Sequence, residues 1–426
     1  MSWVCHEALD ERCFTRKLSN GLTVKVVPKV GFTKKLAYFV TDFGAIHRDF
    51  VLDGQEYHVP AGVAHFLEHK MFELPERDVT AEFAALGANV NAFTSFDMTA
   101  YYFSCTANFR ENLKLLLEFV STPYFTQESV EREYGIIDQE IAMNEDAPDS
   151  REFELLVNLM YQRHPIRVPI LGSRESIREI TPEILHLCHR AFYTPENMVL
   201  CVVGDVDAEE VVSIAESVLG TERRVAAQKI RFWQEEMVCD TAPQTLQLEV
   251  AMPTFQLGFK CEPVGENDPI QADVLGYLAA EVLFGESSSL YLELYEKGLI
   301  DSSFGGGFET IDGCALLTCG GDGENGEKIR EALLDKCKDL VENGVNERDF
   351  LRLKRGAMGR RIRDLDSFDA LCFRICAYHF LGRDYFRFPS VYANVTAAQV
   401  QEFLGRVVRP ERCALAMTVP ADGAIS

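Results

Sequence analysis

The apolar positions of this chain change period along its length, and the changes mark out its elements. Short apolar or alternating runs at 22–27 and 36–42 predict strands, and a helix is predicted over 62–72. The stretch 89–106 is rich in Thr, Phe and Tyr and breaks around Ser95–Asp97, which predicts a β-hairpin. The period then lengthens. Leu113, Leu116, Leu117 and Val120 fall three and four apart, as one face of a helix requires. Further helices are predicted at 127–144 and 151–161. A strand at 198–203 follows, ending in Gly204-Asp205, then a short helix over 208–219.

The same order returns in the second half. Strands are predicted at 246–252 and 255–260 and a helix at 270–284. A β pair at 305–320 precedes two long helices at 327–342 and 346–366, and a last strand at 413–419. The polar segment between the halves reads as a linker. The pattern predicts two domains of like topology, 1–222 and 245–426, joined by 223–244. Each holds a mixed or mostly antiparallel sheet with helices on one face. Such a pair makes a cleft, and ligand sites favour domain interfaces.

Composition narrows this picture. With 47% hydrophobic and 25% charged residues among 426, the chain can bury a core in each half. Its apolar runs, such as 198–203, are far shorter than the roughly 20 residues that span a bilayer. The first residues lack a charged start followed by an apolar stretch, so no secretory signal is expected. Thirteen unpaired-looking cysteines fit reduced thiols in a cytoplasm. A formal charge of −24, from 42 basic and 66 acidic side chains, argues against nucleic acid as a partner. It is compatible with basic substrates, and equally with simple solubility.

The candidate chemistry lies in the first half, at His65-Phe66-Leu67-Glu68-His69. On a helix, positions four apart differ by about 40° in azimuth, so His65 and His69 share a face and can share a metal ion. Glu68 reaches the same region from about 60° to the other side. Zinc suits two imidazoles, and a catalytic zinc keeps one position for water. Glu68 is then the candidate proton acceptor. A third ligand is needed, commonly a carboxylate. The helix at 127–144 offers Glu133 and Glu140, seven apart and therefore on one face, with Glu145 as a competitor near its end.

These residues resemble the inverzincin peptidases: pitrilysin, insulin-degrading enzyme and the mitochondrial processing peptidase. The segment from Gly62 to His69 is similar to that family's zinc helix. Asn91-Ala92-Phe93-Thr94-Ser95, with Thr99-Ala100-Tyr101-Tyr102-Phe103, resembles its substrate-binding edge strand and the strand beside it. Glu131-Arg132-Glu133 through Gln139-Glu140 resembles its second motif. The resemblance implies an α+β fold of two homologous domains and a zinc endopeptidase acting on short unfolded peptides in a closed chamber. It implies one zinc on His65, His69 and Glu140, with Glu68 catalytic and Glu133 assisting. It further implies substrate binding along Asn91, Ala92, Phe93 and Thr94. The chain has the length of one half-molecule, so a dimer is implied, and the likeness is greatest to short bacterial members that pair with a metal-less chain. Tyr295 stands where the family often has Arg, and Asp301 or Ser302 where it has Tyr. A heterodimer is therefore expected, whose second chain supplies that pair, with a homodimer as the alternative. A non-catalytic peptide-binding or assembly subunit is the rival reading, and degenerate motifs would mark it.

Other clusters carry less. His186 and His189 lack a third ligand, Cys372 and Cys376 read as core thiols on a helix, and Gly305-Gly306-Gly307 has no following Lys or helix start to make a phosphate loop.

Overall fold

The computed structural model describes residues 2–231, 234–264 and 268–421. It divides into two compact units, each drawing on both halves of the sequence. One comprises Met1–Ile141, Val168–Arg231 and Ile362–Phe386; the other comprises Ala142–Arg167, Phe232–Arg361 and Arg387–Ser426. The spans 1–222 and 245–426 therefore do not coincide with the compact units.

The first unit is built on seven strands: β1 (Ser2–His6), β2 (Glu11–Lys17), β3 (Thr23–Pro28), β4 (Lys35–Thr41), β5 (Ala88–Thr94), β6 (Thr99–Cys105) and β7 (Met198–Gly204). Their order is β1-β2-β3-β7-β4-β6-β5. Only β3 and β7 pair in parallel; the other neighbours are antiparallel. β1 and β2 escape the sequence pattern because charged residues such as Glu11, Arg12, Arg16 and Lys17 interrupt their alternation at an exposed edge. Helices α1 (Val63–Met71), α2 (Phe109–Ser121) and α3 (Gln127–Glu145) join the sheet in a core that includes Phe39, Phe66, Leu116, Phe119 and Leu200.

The second unit holds β8 (Gln244–Leu248), β9 (Thr254–Cys261), β10 (Gly305–Ile311), β11 (Cys314–Asp322) and β12 (Cys413–Pro420), in the order β8-β12-β9-β11-β10. Again one neighbouring pair, β8 and β12, is parallel and the rest are antiparallel. This matches β3-β7-β4-β6-β5 strand for strand, so the repeat inferred from element order exists in the pairing. β8 stops short of the strand predicted to 252 because its partner runs out: Leu248 faces Pro420.

The helices are not confined to one face. In the second unit, α4 (Pro148–Met160) packs on β9 and β12, although it comes from the first half of the sequence. In the first unit, α5 (Phe368–Phe380) packs on β4 and β7, although it comes from the second. The strands require this. Along β7 every residue is buried; Leu200 and Val202 face the main core, so Cys201 on the opposite face needs its own cover. Cys372 and Cys376 of α5 provide it. Gly258 of β9 serves the mirror arrangement: a Cβ there would fall 2.4 Å from Met160 Sδ.

The segment read as a linker is also tied down. Gln228–Lys229 forms a short strand on Asp49–Leu52 in the first unit. In the second, Glu235 accepts backbone N–H groups of Gln162, Arg163 and His164 and the ammonium of Lys260.

Candidate metal centre

α1 is apolar on most of its circumference. Val63, Ala64, Phe66, Leu67 and Met71 enter the core, so the polar residues His65, Glu68 and Lys70 are buried with them. Its start is fixed by Gly62, whose φ of +86° is left-handed and whose missing Cβ would lie 2.4 Å from Leu171 O. His65 and His69 lie one turn apart and meet edge to face, ring centroids 4.5 Å from each other.

α3 lies alongside, anchored by Val130, Ile137 and Ile141. Between those residues it turns Glu133 and Glu140 toward α1. Glu140 Oε2 stands 3.5 Å from His65 Nε2 and 3.4 Å from His69 Nε2. Ligand atoms of these three side chains all lie within 4.8 Å of one another, a combination that Glu145 does not join among the described residues. The separations discriminate between two explanations. A charge-assisted N–H···O bond is about 2.7–2.9 Å. A tetrahedral site with bonds of about 2.0–2.1 Å has edges of about 3.3 Å between its ligand atoms. The Glu140–His65 and Glu140–His69 separations fit the second, and two imidazole nitrogens with one carboxylate oxygen is a donor set that zinc takes. The residues present therefore fit a zinc ion.

The two histidines are oriented differently. Glu133 Oε1 lies 3.0 Å from His69 Nδ1. A carboxylate accepts, so Nδ1–H donates and Nε2 is left with its lone pair. His65 Nδ1 is buried without a hydrogen-bond partner, so packing alone orients that ring. Burial opposes charge on His69, but the neighbouring carboxylates of Glu133 and Glu140 outweigh burial and raise its pKa to about 9. The same two imidazoles hold the Glu140 carboxyl well below the usual carboxylate range. Burial would raise Glu133, yet His69 and Lys70 bring it down.

Glu68 lies on α1 between the two histidines, close enough to feel their charge and that of Glu140. It is 8% exposed, and burial pushes its pKa up against the pull of Thr94 and the histidines. Thr94 Oγ1 donates to Glu68 Oε2 over 2.6 Å. Thr94 ends β5, the terminal strand of its sheet, where Asn91, Ala92, Phe93 and Thr94 pair only with Tyr102, Tyr101, Ala100 and Thr99 of β6. Their other edge is unpaired among the described residues, and α1 packs beside it.

The remaining candidates separate from this centre. His189 donates Nε2–H to Val120 O over 3.1 Å and stacks on Tyr193; burial lowers its pKa to about 4. His186 lies against Phe125. Cys372 and Cys376 are fully buried. Tyr295 is exposed on the helix Ser289–Glu296, stacked on Tyr291, and Asp301 caps Ser303. Two features escape the sequence reading: the hydroxyl of Thr94 on Glu68, and a buried lysine, Lys70, beside His69. The second has a signal, since Lys70 interrupts an otherwise apolar helix face before Met71-Phe72.

Comparison with known proteins identifies the family. Residues 54–174 match the family model for insulinase (peptidase family M16), and residues 179–357 match that for the M16 inactive domain. An uncharacterized zinc protease of Bacillus subtilis, YmfH, is 36% identical over 424 residues, covering 97% of this chain and 98% of that one. The crystal structure of an M16-like peptidase from Alicyclobacillus acidocaldarius superposes with a TM-score of 0.91 at 32% identity, covering 96% and 99% of the two chains. A Helicobacter pylori protease shares the fold at 19% identity, with a TM-score of 0.83 over 96% and 100%. The chain belongs to the M16 peptidase family. Within it, this is a half-length member of two homologous α+β domains, with relatives named as zinc proteases.

Proposed function

We propose that this chain is the zinc-bearing half of an endopeptidase that cuts short unfolded peptides in a closed chamber. The observation that carries the reading is the convergence of His65 Nε2 and His69 Nε2 on Glu140 Oε2 at metal-ligand spacing, with the Glu68 carboxylate on the same helix. His65, His69 and Glu140 hold one zinc per chain. When bound, zinc supplies Lewis acidity and lowers the pKa of water to about 7. Glu68 accepts the proton of the attacking water and delivers it to the leaving amine. Its buried setting favours this role, because a raised pKa brings a carboxylate nearer the operating pH. Glu133 fixes the His69 ring. The free edge of β5 binds the peptide as an added strand through main-chain hydrogen bonds, which makes recognition tolerant of side chains.

The peptidase works as a dimer in the cytoplasm, without nucleic acid. Tyr295 and Asp301 or Ser302 give no Arg and Tyr donors, so a second half-length chain of the family supplies them. A homodimer using other donors is the competing assembly. A non-catalytic subunit is disfavoured because the donor set and Glu68 are both intact.

The test is Glu68→Gln against wild type, reading zinc content and peptide cleavage together. The reading expects one zinc per chain in both and cleavage only in wild type. A variant that cleaves like wild type would sink the mechanism, and a wild-type chain that takes up no zinc would sink the metal site.

A further inference from the structure

Lys70 directly follows the ligand His69, and its ammonium has no exposed surface. A buried ammonium is costly unless it is well paired, and an apolar residue of similar length would fill the same space without that cost. Its partners are specific. It donates to Glu73 Oε2 and, over 3.2 Å, to Ser129 O in the first turn of α3. It also stands 3.5 Å from Glu133 Oε2. The other oxygen of Glu133 is the one that accepts from His69 Nδ1. Glu73 is held in turn by Arg132, over 2.7 Å. Charges therefore alternate along one line: Arg132, Glu73, Lys70, Glu133, then the imidazole of His69. Ser129 and Glu133 are one helical turn apart, so Lys70 grips α3 at the carboxylate and at the turn beneath it.

We propose that Lys70 is a positioning residue of the metal centre: by claiming Glu133 Oε2 it turns Oε1 onto His69 Nδ1, and zinc affinity depends on it through Glu133. The inference rests on the zinc-peptidase reading. Partners behind a ligating histidine fix its ring and raise its basicity, and their loss typically costs about 10–100-fold in metal affinity. Lys70 extends that support by one residue. It also ties α1, which carries two ligands, to α3, which carries the third.

The experiment measures zinc affinity by competition with a chromophoric chelator in wild type, Lys70→Met, Lys70→Arg, Glu133→Gln and Lys70→Met/Glu133→Gln, with thermal midpoints alongside. Lys70→Met is expected to weaken zinc binding about 10–100-fold. With zinc saturating, KM for peptide should stay near wild type, because Lys70 pairs with Glu73, Ser129 and Glu133 and not with β5. Lys70→Arg should recover most of the affinity. The double variant should bind no more weakly than Glu133→Gln alone, since both changes act on one carboxylate. Losses that multiply in the double variant would overturn the inference. So would a folded Lys70→Met that binds zinc within about threefold of wild type. Should Lys70→Met fail to fold, Lys70→Met/Glu73→Gln, which removes the ammonium with one of its carboxylates, carries the same comparison. A wild-type chain without zinc affinity would defeat the peptidase reading and this inference with it, whereas unchanged affinity in the variant defeats this inference alone.

Discussion

Thr94 Oγ1 donates a 2.6 Å hydrogen bond to Glu68 Oε2, and so joins the end of the free strand edge to the carboxylate on α1. The hydroxyl leaves Glu68 one oxygen free for chemistry. Replacing Thr94 by Val keeps the shape and removes the donor. A hydrogen bond to a charged group contributes about 1.5–3 kcal/mol, so kcat should fall roughly 10- to 100-fold with zinc content unchanged. Thr94→Ser should retain most activity. Steady-state kinetics on the three proteins check this; a Val variant as active as wild type would show that packing alone places Glu68.

Gly62 predicts a second outcome. A side chain there meets a left-handed φ of +86° and the carbonyl oxygen of Leu171. Strain of this kind costs of order 1–3 kcal/mol, which in a domain of this size lowers the melting midpoint by about 3–10 °C. Because α1 begins at Gly62, zinc affinity should weaken with it. Thermal scans of Gly62→Ala with and without zinc test both halves of the statement, and a variant melting with wild type would count against it.

Glu152, in the second unit, predicts a pH dependence of stability. Its side chain is 2% exposed, and burial raises its pKa from 4.5 to about 7 against a hydrogen bond from Thr254. A carboxyl raised on folding favours the protonated native state. Its contribution is fully present below about pH 4.5 and is lost as pH rises through about 7. Glu152→Gln should therefore flatten this part of the stability profile and gain on wild type at pH 8. Melting midpoints between pH 5 and 8 decide it; parallel curves would show that Glu152 ionises as freely as in the unfolded chain.

A fourth prediction concerns assembly. If the oxyanion donors come from another chain, the purified protein alone should cleave peptides slowly. Addition of a half-length family member carrying the Arg and Tyr should raise cleavage about 100- to 1,000-fold per donor supplied. Full activity of the single chain as a homodimer would exclude that arrangement.

The candidate metal centre is the most legible part of the sequence. The reason is geometric: helical spacing fixes the relation of His65 to His69 and of Glu133 to Glu140 before any tertiary contact is known. The choice of Glu140 over Glu145 needs the packing of α3 on α1, which Val130, Ile137 and Ile141 determine. Most strands are legible where they alternate or are continuously apolar, as in β4 and β7. β1 and β2 are not, because charged residues at an exposed edge erase the alternation. Thr94 lies on the strand that the sequence predicts, yet its hydroxyl bond to Glu68 depends on a contact 26 residues away in sequence that no local pattern encodes. The same holds for the exchange of α4 and α5, since amphipathicity shows that a face is buried but not against which sheet.

That exchange has a consequence for how the protein comes into being. The sheet of the first unit is closed over β4 and β7 by a helix that ends at Phe380. During synthesis, residues 1–222 therefore emerge with Cys201 and its neighbours still uncovered, and they wait for more than 150 further residues before the covering helix leaves the ribosome. At about 5–20 residues per second this interval lasts on the order of ten seconds or more. The candidate zinc ligands His65, His69 and Glu140 are all made within the first 140 residues, so the centre proposed for them can be assembled on a nascent chain whose sheet is still open to water on one side. Gene fragments cut at the linker would stay in that state permanently, and a stable half would have to be a composite of both ends.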